Sequence, residues 1–171
     1  MRFTGDDVVF SILHSCVDGL RADRLVYYVY AFQKAGLDVK YRYRVQASGV
    51  TCKDIAGALN NLIALNKVVC CDGTLTLTPE GYLYYDNIVL TLNAWDKACS
   101  VKNMLDSLSE DELFFVCVSD IVVYDVLKRS GADGLLKGRE AIERTVSNLS
   151  KEYSAENFDS ALYLMRLIQE G

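Results

Sequence analysis

Lys53-Asp54-Ile55-Ala56-Gly57-Ala58-Leu59-Asn60-Asn61-Leu62-Ile63-Ala64-Leu65-Asn66-Lys67-Val68-Val69-Cys70-Cys71-Asp72-Gly73-Thr74-Leu75-Thr76-Leu77-Thr78-Pro79-Glu80-Gly81 decides the fold. Within it Ile55, Ala56, Leu59, Leu62 and Ile63 recur at helical spacing and predict a helix from Lys53 to Asn66, with Thr51 as candidate N-cap. Two β-rich runs follow, Lys67 to Cys71 and Thr74 to Thr78. Asp72-Gly73 separates them, the two-residue signal of a tight hairpin, because both turn positions need positive φ. Thr78-Pro79 then caps a new helix and places proline at its first position, where the missing N–H costs nothing. Helix, small hairpin and capped helix in this order predict a winged helix-turn-helix. A helix too short to stand alone lays its apolar face on the hairpin, and the next helix closes the same core.

Upstream, Val8, Val9, Ile12, Leu13 and Cys16 predict an amphipathic helix from Asp6 to Val17, with two aspartates at its positive end. A second helix is expected from Ala22 to Ala35, stopped by Gly36. Val39 to Val45 alternates apolar with basic residues at period two, which fits a half-buried strand: Tyr41, Tyr43 and Val45 inward, Lys40, Arg42 and Arg44 on the solvent face. Downstream, the helix from Pro79 runs toward Trp95 and carries Tyr82, Leu83, Tyr84, Tyr85, Ile88, Val89 and Leu90, more apolar surface than one stripe requires. Ser109 and Glu112 form a capping box that opens a helix ending near Arg129. Two more helices are expected, Lys137 to Tyr153 and Ala155 to Gln169. The expected fold is therefore mostly α, of the α+β class: a winged-helix domain over residues 1–98 and a helical C-terminal subdomain over 99–171 packed on it.

Composition narrows the function. Hydrophobic residues make up 51% of the 171 and charged residues 24%, with one proline and no low-complexity run, so a folded globule is expected. An acidic N-terminus, no apolar stretch of membrane-spanning length and six cysteines set in apolar patterns point to a cytoplasmic protein with reduced, mostly buried thiols. Net charge is −5, whereas nucleic-acid affinity asks for a basic footprint. The charge is uneven. Residues 37–67 hold five basic groups against two acidic ones, and residues 106–171 hold seven against thirteen. Lys40, Tyr41, Arg42, Tyr43, Arg44, Lys53 and Lys67 are thus the candidate partner-binding residues. Polar positions on the 53–66 helix include Lys53, Asp54, Asn60 and Asn61 but no arginine to grip guanine, so DNA binding as a dimer is the second reading. His14 is the only histidine and lies among apolar residues as a partly buried structural group. Gly131-Ala132-Asp133-Gly134 reads as a helix-to-helix turn rather than a phosphate loop. No catalytic set, metal-ligand spacing or cofactor motif stands out, and a non-catalytic module is expected.

Arg24-Leu25-Val26-Tyr27-Tyr28-Val29-Tyr30-Ala31-Phe32-Gln33-Lys34-Ala35-Gly36, then Tyr41-Arg42-Tyr43, then Leu59 through Gly81, resemble the YwgA-like proteins and the related SocA/Panacea antitoxin-type domain. The likeness covers the N-terminal two-thirds. It implies a small cytoplasmic, bacterial or phage-associated protein that neutralises a toxin or serves as an adaptor by direct contact. The family's Gly-Pro-Tyr-Ser-like turn is replaced here by Ala47-Ser48-Gly49-Val50-Thr51, without proline. A homodimer is also expected, through the helix from Pro79 or through Phe158, Leu162, Met165 and Leu167 of the last helix.

Overall fold

The computed structural model describes residues 4–36, 41–46, 49–85, 92–118 and Tyr163. Helix α1 (Gly5–Ser15) starts at a reciprocal capping box: the Asp7 amide donates to Thr4 Oγ1, and the Thr4 amide donates to the Asp7 carboxylate at 2.8 Å. Val17, expected inside this helix, lies beyond its end and is exposed. A two-residue strand β1 (Leu20–Arg21) precedes α2 (Leu25–Lys34), which Gly36 ends at φ 103°. The expected strand from Val39 to Val45 is shorter and later than its alternation suggests. Residues 41–43 have no regular structure, and β2 (Arg44–Gln46) pairs antiparallel with β3 (Gly49–Thr51). Thr51 is therefore not the cap of the following helix α3 (Lys53–Ala64). It is committed to the ladder opposite Arg44, and Cys52 holds the cap position without a side-chain bond.

The deciding stretch folds as a tightly tied unit. Helix α3 ends two residues earlier than expected because Asn66 turns to φ 55°, letting the Asn66 amide reach Ile63 O and the Lys67 amide reach Leu62 O. Strands β4 (Val68–Cys71) and β5 (Thr74–Leu77) pair in register around Asp72 and Gly73, both at positive φ as the turn demands. Thr78 joins the ends. Its amide donates to Lys67 O and its hydroxyl to Asn66 O at 2.6 Å, while Oγ1 accepts from the Gly81 amide and caps α4 (Pro79–Tyr85). Strand β1 pairs with the other side of β5, giving a three-stranded sheet of order β1-β5-β4.

Helix α5 (Leu92–Asp106) passes through residues 98 and 99 and packs on α1 and α2. Ser109 and Glu112 then cap each other as expected, opening a helix α6 described over 110–118. Its residues Leu113 to Val118 are buried in the same core as Phe10, Leu13, Leu25, Phe32, Leu62, Leu75 and Leu105. The molecule is thus mixed α/β, mainly helical, with two small antiparallel sheets. No helix among the described residues is long and apolar enough to cross a membrane. Of the helix expected over 155–169 only Tyr163 is described, as helical and exposed; the helix expected over 137–153, the turn at 131–134 and the stretch between α4 and α5 lie outside the described residues.

Candidate functional site

The aromatic–basic segment keeps its expected alternation where it is described. Tyr41, Tyr43 and Val45 are half-buried against the core, and Arg42 and Arg44 are exposed. Tyr43 anchors the segment: its ring meets Tyr30 edge-to-face at 4.8 Å between centroids, and its hydroxyl donates to Gln33 Oε1 at 3.0 Å. Burial pushes the Tyr43 phenol far above its ordinary range. Tyr41 stacks edge-on against Tyr43 at 6.5 Å and sends its hydroxyl between α1 and α3. Burial first, then the charges of Cys52, Asp54, Asp6 and Asp7, push this phenol up to about 12. The two arginines therefore ride on a row of tyrosines rooted in the core, which fixes their backbone while leaving both guanidinium groups in water.

The remaining predicted residues divide. Lys53 is exposed at the first turn of α3, two residues after Thr51, the ladder partner of Arg44. Lys67 does not join this surface. It lies at the α3–β4 turn with Nζ 3.2 Å from the centroid of the Tyr84 ring, so its charge is spent on an aromatic face. Lys40 lies outside the described residues. One basic group was not anticipated: Lys34, in the last turn of α2, has Nζ 5.6 Å from the Tyr30 centroid and so borders the tyrosine row. Position in a different predicted element hid it. Asn61, one of the polar positions on the 53–66 helix, donates to the Asp6 carboxylate at 2.6 Å.

Beside β3 opens a cleft of about 330 Å³ between α2, β3 and α3, floored by Leu25, Val26, Val50, Ile55 and Leu59. Asp23 and Glu110, both exposed, also line it. Arg21 also pairs with Asp23. The Arg21 hydrogen bond, aided by Glu110 and opposed by partial burial, holds the Asp23 carboxyl below its ordinary value. Sequence alone could not join these groups, because Asp23 and Glu110 are far apart in the chain.

Compared with models of known protein families, with curated proteins and with solved structures, the chain gives no significant match. The likeness suggested by its motifs stays a likeness.

Two other expectations concern reactive groups. Cys16, Cys52 and Cys117 are buried free thiols, and Cys99 is half-buried. Cys70 and Cys71 are exposed, contrary to the mostly buried set expected, because β4 is the outer strand of its sheet and extends past the core beyond Val68. His14 is half-buried with its ring 5.7 Å from Tyr82 in an edge-to-face contact. No group of three or more His, Cys, Asp or Glu among the described residues could hold a metal ion.

Proposed function

We propose that the protein is a non-catalytic interaction module that acts by binding a partner protein, in the manner of an antitoxin or adaptor. The observation that carries this reading is the pair Arg42 and Arg44, exposed on a core-anchored tyrosine row in an acidic protein. Such a surface combines fixed backbone, aromatic area and charges that steer an acidic partner. We further read the N-terminal part as a winged helix. The support is the sequence of elements α1, β1, α2 and α3 followed by β4 and β5, which with β1 form the sheet β1-β5-β4, with Asp72-Gly73 as the tip of the wing. The segment 41–51 is then an insertion between its second and third helices, set apart from the wing.

The test is charge reversal. Lys40→Glu, Arg42→Glu and Arg44→Glu together should abolish enrichment of the partner on immobilised protein from lysate of the native host. Thermal stability should hardly change, because exposed charges add little to folding. An identical capture profile for variant and wild type would sink the reading. A salt titration on random duplex DNA addresses the nucleic-acid alternative. No binding at low salt is expected, given Asp54 and the Asp6-bound Asn61 on α3. A homodimer through α4 draws support from Tyr82 and Leu83, 42% and 67% exposed. Light scattering that finds only a 19.1 kDa particle at micromolar concentration would remove it.

A further inference from the structure

We propose that the cleft beside β3 is a specificity pocket of the contact surface, built to take one arginine or lysine side chain of the partner protein together with its aliphatic stem. The inference rests on the interaction reading above and names what that surface recognises.

Three observations meet here. The cleft has the size of a small ligand site and an apolar floor of Leu25, Val26, Val50, Ile55 and Leu59. Two exposed carboxyl groups, Asp23 and Glu110, line it as well. Two carboxyl groups lining one cleft favour a cation between them. Among the described residues a single guanidinium, that of Arg21, reaches this pair, and it binds the Asp23 side. One positive charge for two carboxyl groups leaves room for a second at Glu110. A ligand that matches apolar depth with a cationic head is the side chain of arginine or lysine, whose methylene stem packs on apolar surface while its charge stays at the water boundary. The place of the cleft ties it to the proposed surface: Thr51 lines it and is the ladder partner of Arg44. A partner would then meet outward arginines on one side and an arginine-accepting pocket on the other. That pattern selects a segment carrying both signs of charge and rejects a uniformly basic one.

Methyl and aromatic NMR shifts of the full chain read the pocket directly. Butylguanidinium should shift the Val26, Val50, Ile55 and Leu59 signals and saturate; pentanoate, of similar length and opposite charge, and pentanol, neutral, should not saturate in the same range. The capped peptide acetyl-Leu-Arg-Leu-amide should bind at the same signals. Asp23→Asn with Glu110→Gln should weaken both cationic probes tenfold or more. Ala56→Trp, at an exposed position on the cleft wall, should block both while the fold's spectrum persists. Equal response to the three small probes, no response to any, or binding untouched by the carboxyl variants overturns the proposal. Binding of butylguanidinium without the peptide overturns it too, since the site would then serve a small cation. None of these outcomes bears on whether Arg42 and Arg44 hold a partner, so the two readings fail separately.

Discussion

Tyr41 carries a hydroxyl that is buried between α1 and α3 with no hydrogen-bond partner among the described residues. A buried donor left unsatisfied costs about 1–3 kcal/mol, so Tyr41→Phe should stabilise the protein by about 1 kcal/mol. The same oxygen explains Gly5. A Cβ at Gly5 would sit 2.8 Å from it, closer than real Cβ atoms approach a neighbour. Alanine is otherwise better than glycine in a helix by about 1 kcal/mol. Gly5→Ala should therefore be neutral or harmful in the wild type and favourable in the Tyr41→Phe background. Urea unfolding of the four proteins checks the sign of that coupling, and strict additivity would show that the hydroxyl and Gly5 do not meet.

Elements differ in how much a single residue can decide. Gly57 and Gly81 are both helical glycines, and nothing in their sequence neighbours says which one is required. At Gly57 an added Cβ meets nothing within 4 Å, whereas at Gly81 it would lie 2.2 Å from the carbonyl oxygen of Lys67. Backbone cannot move aside as a side-chain tip can. Gly57→Ala should raise stability by up to about 1 kcal/mol; Gly81→Ala should cost about 2 kcal/mol or more by prying α4 off the α3–β4 turn. Comparable denaturation midpoints for the two would refute this account. Capping and turn chemistry was legible for a physical reason. Asp72-Gly73, Thr78-Pro79 and Ser109 with Glu112 bond within four residues of themselves, so their sequence contains their partners. Strands β1 and β3 were not legible, since two or three residues carry no periodicity and exist only because β5 and β2 lie alongside. The candidate site splits the same way. Alternation placed Arg42 and Arg44 outward, but the cation–π contact of Lys67 and the place of Asp23 and Glu110 on one cleft depend on chain segments brought together by the core.

At the scale of the whole molecule, polar contacts join α5 and the turn after it to the start of α2. Arg24 Nη2 donates to Leu105 O in the last turn of α5 and to Leu108 O in the turn after it, at 3.1 and 2.8 Å. The Tyr28 hydroxyl donates to the Asp106 carboxylate at 2.7 Å, and Lys102 pairs with the same carboxylate. Partial burial pushes the Asp106 carboxyl up, but the hydrogen bonds from Lys102 and Tyr28 and the charges of Lys102 and Arg24 together bring it below its ordinary 3.8. Asp23 is lowered chiefly by Arg21, and Glu112 by its bonds to Ser109. A carboxyl group depressed in the folded state contributes stability that is complete above its ordinary value and is lost as pH falls through the folded one. Acid should therefore weaken the fold below the ordinary values of 3.8 and 4.5. On the alkaline side Tyr27, Tyr28, Tyr41 and Tyr43 are all raised, each first by burial. A raised group contributes stability that is complete below its ordinary value of 10.0 and is lost above it, so the fold should weaken again there. Stability measured by urea across pH should form a plateau between these limits. Asp106→Asn should flatten the acid limb, by a modest amount because the side chain is 43% exposed, and leave the alkaline limb steep. An acid limb of unchanged slope in that variant would mean that Asp106 does not tie α5 to α2 in solution.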